Sequence, residues 1–161
     1  MYDASMIRVL EFDEHVRVRP TMYFGVGLGD PRLARKVFRA VLLDATHQEP
    51  LPHVEAEVLA DLTFSVTDDH PVTFREDGTP WLGLGGTLFR ANRCLTAAAA
   101  ALSTRAVVEL WHDGRGFRQE LVHARPTAPP EPFDAPEGDG TRAWFDLDPA
   151  CCGAATISSA W

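Results

Sequence analysis

The chain has 161 residues, 45% of them hydrophobic and 24% charged, with a formal net charge of −8. That composition fits one globular domain with a core of its own. The negative balance disfavours binding to a nucleic-acid backbone, and no run of about 18 apolar residues marks a membrane span. The first residues, M-Y-D-A-S-M, carry neither the basic start nor the apolar stretch of an export signal. The three cysteines, Cys94, Cys151 and Cys152, make neither a disulfide framework nor a zinc pattern. A reduced, cytoplasmic protein is therefore expected.

In chain order, residues 8–16 are compatible with a short helix that ends at Arg19-Pro20, and Gly25, Gly27 and Gly29 come next as a flexible connection. Asp30-Pro31 has the form of a helix start, a capping carboxylate before a proline. The helix it opens is expected to close before Pro50 and Pro52, with Leu33, Val37, Val41 and Asp44 on one face. A carboxylate at the end of an apolar stripe is the anomaly of that face. Alternating residues predict strands over 53–60 and 62–67, then a loop over 68–86. Residues 91–102, with five consecutive alanines, predict a helix. Asp113-Gly114-Arg115 predicts a hairpin between two further strands. Residues 126–140 are expected to be an exposed loop, and 142–147 a last strand. The sum is one α/β domain over 1–161, in detail an α+β two-layer sandwich with helices on one face of the sheet.

Three blocks give this pattern a family. Residues 7–25 read I-R-V-L-E-F-D-E-H-V-R-V-R-P-T-M-Y-F-G, residues 64–69 read F-S-V-T-D-D, and residues 102–120 read L-S-T-R-A-V-V-E-L-W-H-D-G-R-G-F-R-Q-E. In this order the blocks resemble the ATPase domain of the DNA gyrase B subunit and of type II topoisomerases. A weaker echo, D-G-T-R-A-W-F-D-L-D, covers 139–148. The resemblance implies the Bergerat (GHKL) fold with a mixed sheet, and an N-terminal arm over residues 1–25. The matching region stops soon after Thr141, so the transducer domain through which topoisomerases couple ATP to strand passage is not expected.

The same resemblance implies lost chemistry. Family members carry a water-activating glutamate and a magnesium-binding asparagine in E-x-x-D-N-S-x-D-E-A. The matching segment here is V-L-L-D-A-T-H-Q-E-P, with Val41 and Ala45 at those two places. Valine accepts no proton and alanine holds no metal. The glycine box D-N-G-x-G becomes D-D-H-P-V, residues 68–72. The phosphate-cradling lid G-L-H-G-V-G becomes F-R-A-N-R-C, while Gly83-Leu84-Gly85-Gly86 lies earlier as a plain loop or a displaced lid.

By resemblance, Asp68 matches the aspartate that accepts from the adenine amino group, Thr141 the threonine beside it, and Arg118 an arginine at the pocket mouth. Asp44, Asp68, Arg118 and Thr141 are thus the expected ligand-binding set, with Asp68, His70 and Asp44 as acid–base candidates. No metal site and no cofactor are expected, since the six histidines share no ligand spacing. Trp81 is a candidate wall for an aromatic ligand. The leading expectation is a gyrase-B-like domain that binds a small molecule in the former adenine pocket without hydrolysing ATP. A repurposed enzyme doing metal-free acid–base chemistry in specialised metabolism is the first alternative. A non-catalytic module that dimerises through the N-terminal arm is the second.

Overall fold

The computed structural model of the chain describes residues 11–153, 156 and 157. The start of the expected arm, residues 1–10, lies outside the described residues. Two short helices open the described chain, α1 (Phe12–Val18) and α2 (Thr21–Phe24), and α3 (Leu33–Thr46) comes next. The Asp30 carboxylate does accept the Arg32 N–H at 2.8 Å, but α3 itself starts at Leu33. The expected stripe is buried at Leu33, Val37 and Val41, where it meets the sheet.

The strands are β1 (Val54–Ala60), β2 (Thr63–Asp68), β3 (Ser103–His112), β4 (Arg115–Val122), β5 (Arg125–Pro126), β6 (Glu131–Phe133) and β7 (Gly140–Leu147). They form one sheet in the order β1-β2-β7-β3-β4-β5, with β6 also on β4, and every described pairing is antiparallel. The stretch expected as loop, 126–140, therefore carries β6 and the end of β5. The β3–β4 turn uses positive φ at both Asp113 and Gly114 (51° and 81°), the geometry that matches a right-twisted hairpin.

Alternation along the strands separates two faces. Phe64, Val66, Val108, Leu110, Leu121, Ala143 and Phe145 point to the helices and are buried. Phe38 of α3 meets Phe64 edge-on at 5.0 Å, and Phe64 stacks on Phe145 at 5.0 Å. The other face carries ion pairs, Arg142 bonded to Glu109 at 2.6 Å and Arg105 to Glu120 at 2.7 Å, beside Val107 and Trp111.

Helix α4 (Cys94–Ala101) is buried along its whole alanine run, Ala97–Ala101. It contacts α1, α3 and the sheet. Methyl side chains let a backbone pack this closely on several sides at once, and the high helix propensity of alanine keeps the segment helical there. A last helix, α5 (Pro149–Cys152), is capped by Asp148, whose carboxylate accepts the Ala150 N–H.

Candidate functional site

Where β2 and β7 end beside each other, Asp68 lies directly across from Thr141 in the antiparallel register. Both side chains face a narrow cleft. Val41, Val66, Leu88, Phe89, Leu110 and Ala143 wall it, and Trp81 stands at the edge, half exposed with the Arg75 guanidinium 5.0 Å from its ring centre. The cleft is thus an apolar slot with a few polar groups at one end, the usual composition of a small-ligand site.

The polar end is built around Asp68, which is 3% exposed. Arg93, from the 3-10 turn Ala91–Arg93 that leads into α4, grips it with two bonds. Nη1 donates to Oδ2 at 2.8 Å and Nη2 to Oδ1 at 3.1 Å. Oδ1 also accepts the His70 N–H at 3.1 Å. A carboxylate removed from water must be paired, and this geometry pairs it fully. Beside it, Gln48 donates to the carbonyls of Asp44 and Asn92, and Asn92 donates to Gln48 Oε1 at 2.8 Å. These amides spend their bonds on joining the end of α3 to the 3-10 turn. The Thr141 hydroxyl has no side-chain partner among the described residues and lines the cleft.

The residues expected at the site are placed differently from one another. Asp68 and Thr141 share the floor. His70 is at the rim, but its Nε2 donates to the Glu49 carbonyl at 2.8 Å, which leaves only Nδ1 for other work.

Asp44 does not line the cleft. Its Oδ2 accepts the Thr96 N–H at 2.6 Å and the Thr96 hydroxyl at 2.9 Å, so it caps the first turn of α4 from another helix. Burial pushes its carboxyl up, and the two Thr96 bonds only partly offset that.

Arg118 does not line it either. It pairs across from Glu109 on the outer face of the sheet and is exposed. Strand alternation gives the inward position to its neighbour Gln119, 2% exposed, which accepts the Leu88 N–H at 2.9 Å and so fixes the segment carrying Leu88 and Phe89. Neither Gln119 nor Arg93 is among the residues expected from the sequence. The period-two pattern of β4 is the signal that points to the first. No local pattern points to the second, which stands at the valine of the lid motif.

The glycine-rich piece Gly83–Gly86 makes a compact turn away from the cleft. A Cβ at Gly83 would collide with the Phe89 carbonyl, so glycine serves a close backbone approach there. The 68–72 segment is tied to its neighbours. Asp69 accepts the His53 N–H at 2.6 Å, and Asp139 accepts the Val72 N–H at 3.0 Å. Asp139 also holds His112 Nδ1 at 2.9 Å. The two places tied by resemblance to hydrolysis, Val41 and Ala45, are 2% and 0% exposed. No cluster of His, Cys, Asp or Glu suited to a metal occurs among the described residues.

No family model matches the chain. A gyrase B subunit of Streptomyces niveus, described as novobiocin-resistant, is 31% identical over 173 residues, covering 91% of this chain and 25% of that protein. A gyrase B subunit of Streptococcus pyogenes serotype M3 is 29% identical over 171 residues, covering 92% of this chain and 26% of that protein. The chain thus spans about a quarter of the length of these relatives. The crystal structure of the 43K ATPase domain of Thermus thermophilus gyrase B, in complex with an aminocoumarin, superposes with a TM-score of 0.72 at 27% identity. It covers 93% of this chain and 43% of that one. By sequence and by fold together, the chain is a gyrase-B-like domain with the fold of the gyrase B ATPase domain.

Proposed function

We propose that this domain binds a small planar molecule in the cleft above Asp68 and Thr141 and does not hydrolyse ATP. The observation that carries the reading is the juxtaposition of those two residues at the polar end of an apolar slot, with Val41 as a wall. A water-activating carboxylate at Val41 is what the resemblance leads one to look for, and an alkyl wall there supports binding without turnover. The spent bonds of the 68–72 segment support the same reading, because few backbone N–H groups are left there to cradle a polyphosphate. A cytoplasmic setting belongs to the proposal and is supported by the three free cysteines. No helix among the described residues is long and apolar enough to cross a membrane.

The names of the relatives suggest the first probes. One is described as novobiocin-resistant and one was solved with an aminocoumarin. Sequestration of such an inhibitor is one form this function takes. Thermal unfolding of the pure chain is to be monitored with adenine, ATP with and without magnesium, and an aminocoumarin. At least one is expected to raise the midpoint, and Thr141→Val, which keeps shape and removes only the hydroxyl, is expected to reduce that rise. Silence from every probe, or magnesium-dependent release of phosphate from ATP, sinks the proposal.

A second reading rests on α1 and α2, where Val18 and Met22 are 64% and 68% exposed. They support an arm that pairs two copies of the chain. Light scattering before and after Val18→Ser/Met22→Ser tests it, and a monomer in both samples rules it out.

A further inference from the structure

At Arg93 the floor of the cleft offers hydrogen-bond donors rather than acceptors. A guanidinium carries five N–H donors. Two of those on Arg93 go to Asp68, and its side chain remains 11% exposed where it lines the cleft. Asp68 has about four lone-pair sites. Three are filled, by Arg93 twice and by the His70 N–H, and the side chain is only 2% exposed. The Thr141 hydroxyl in the same space can donate or accept, and so leaves the preference to Arg93. Gln48 adds no donor, because its amide N–H groups go to the Asp44 and Asn92 backbone carbonyls while its oxygen accepts from the Asn92 side chain.

Resting on the small-molecule reading of this cleft, we infer that it selects planar rings that present a carbonyl or carboxylate oxygen to Arg93, and rejects rings that present an amino group there. An oxygen acceptor gains a charge-assisted bond from a guanidinium already held in place by Asp68. An amino group at the same spot faces donors, and both its own N–H and those of Arg93 lose water without a partner. Such unmatched polar groups are what make hydrogen-bonded pockets selective. Val41, Leu88 and Phe89 supply flat apolar contact, and Trp81 at the mouth supplies an aromatic face.

Adenine and hypoxanthine form the deciding pair, since one carries an amino group where the other carries an oxygen. Benzoate serves as a carboxylate probe. Binding to the full chain is to be monitored by NMR through the Arg93 Nε–H and the Trp81 indole N–H. Hypoxanthine and benzoate are expected to shift both signals saturably, with adenine at least tenfold weaker. Arg93→Lys, which keeps the charge but loses the planar two-point grip, should reduce hypoxanthine affinity several-fold. The double change Arg93→Val/Asp68→Asn removes both charges together, guards against unfolding from a lone buried carboxylate, and should bring the two purines to equal affinity. Adenine binding as tightly as hypoxanthine to the unaltered chain overturns the inference while leaving the small-molecule reading intact. If all three probes fail but an aminocoumarin or ATP still stabilises the chain, the inference alone falls. If every probe fails in both experiments, the small-molecule reading falls with it.

Discussion

Two aspartates that the sequence alone would place in one pocket do different jobs, and each has its own test. Asp68 is a buried charge whose stability depends on Arg93. Removing one member of such a pair leaves the other unpaired, which costs about 3–5 kcal/mol. Arg93→Ala is therefore expected to lower the unfolding free energy in urea by about that amount. The paired change Asp68→Leu/Arg93→Met removes both charges and should recover most of the loss. A small effect of Arg93→Ala would mean that the ion pair does not persist in solution. Asp44 caps α4 and does not line the cleft. Asp44→Ala should cost about 1–2 kcal/mol, the usual range for a lost cap. Asp44→Asn should be neutral or stabilising at neutral pH, because it keeps the acceptor for the Thr96 N–H and removes a charge that burial penalises. The sign comes from linkage. A carboxyl raised in the folded state binds more protons there than in the unfolded chain, so its contribution falls as pH rises through the window above 3.8. Urea titrations of the parent chain and the Asn form at pH 4 and pH 7 check this, and they should differ more at pH 7.

Between elements, the contact most open to such a test is the one holding the loop after β2 to the hairpin. Asp139 accepts the Val72 N–H and a bond from His112, and Phe74 lies edge-on to His112 with ring centres 5.9 Å apart. Burial raises the Asp139 carboxyl, but the Val72 N–H and His112 outweigh it and hold it below its ordinary 3.8. For a depressed carboxyl the stabilisation is present above the unfolded value and is lost as pH falls through the lower, folded one. The loop carrying His70–Thr73, one wall of the cleft, should therefore stay tied down to roughly pH 4 and loosen below it. Amide exchange at Val72 reads this directly. Protection should drop in acid for the parent chain, and Asp139→Ala should abolish it already at neutral pH. Protection unchanged by that substitution would show that the tether does not govern the loop.

At the scale of the molecule, the architecture was largely legible and the site only in part, for a physical reason. Periodicity reports which face of an element is apolar, so the α3 stripe, the alternation of β2 and β4 and the Asp113-Gly114 turn could all be read directly. Short-range signals do not report which distant groups meet. The Arg93–Asp68 grip spans 25 positions and the Asp44–Thr96 cap spans 52, and neither leaves a local pattern. Arg118 lies on the outer face for a smaller reason: a strand shows alternate residues to opposite faces, and Gln119 has the inward place. That separation between scaffold and site leads to the last prediction. If only two side chains stood between this domain and ATP hydrolysis, Val41→Glu/Ala45→Asn would restore turnover. The cleft argues otherwise. Arg93 engages the Asp68 carboxylate, the 68–72 segment has committed its backbone donors, and Gly83–Gly86 is folded away from the cleft. Ala45 is wholly buried, so an asparagine there brings an amide into the core at a cost of about 1–3 kcal/mol. The double variant is expected to be less stable by urea denaturation and to release no phosphate from ATP with magnesium. Turnover by that variant would show that the phosphate-binding apparatus survives in a form this structure does not display.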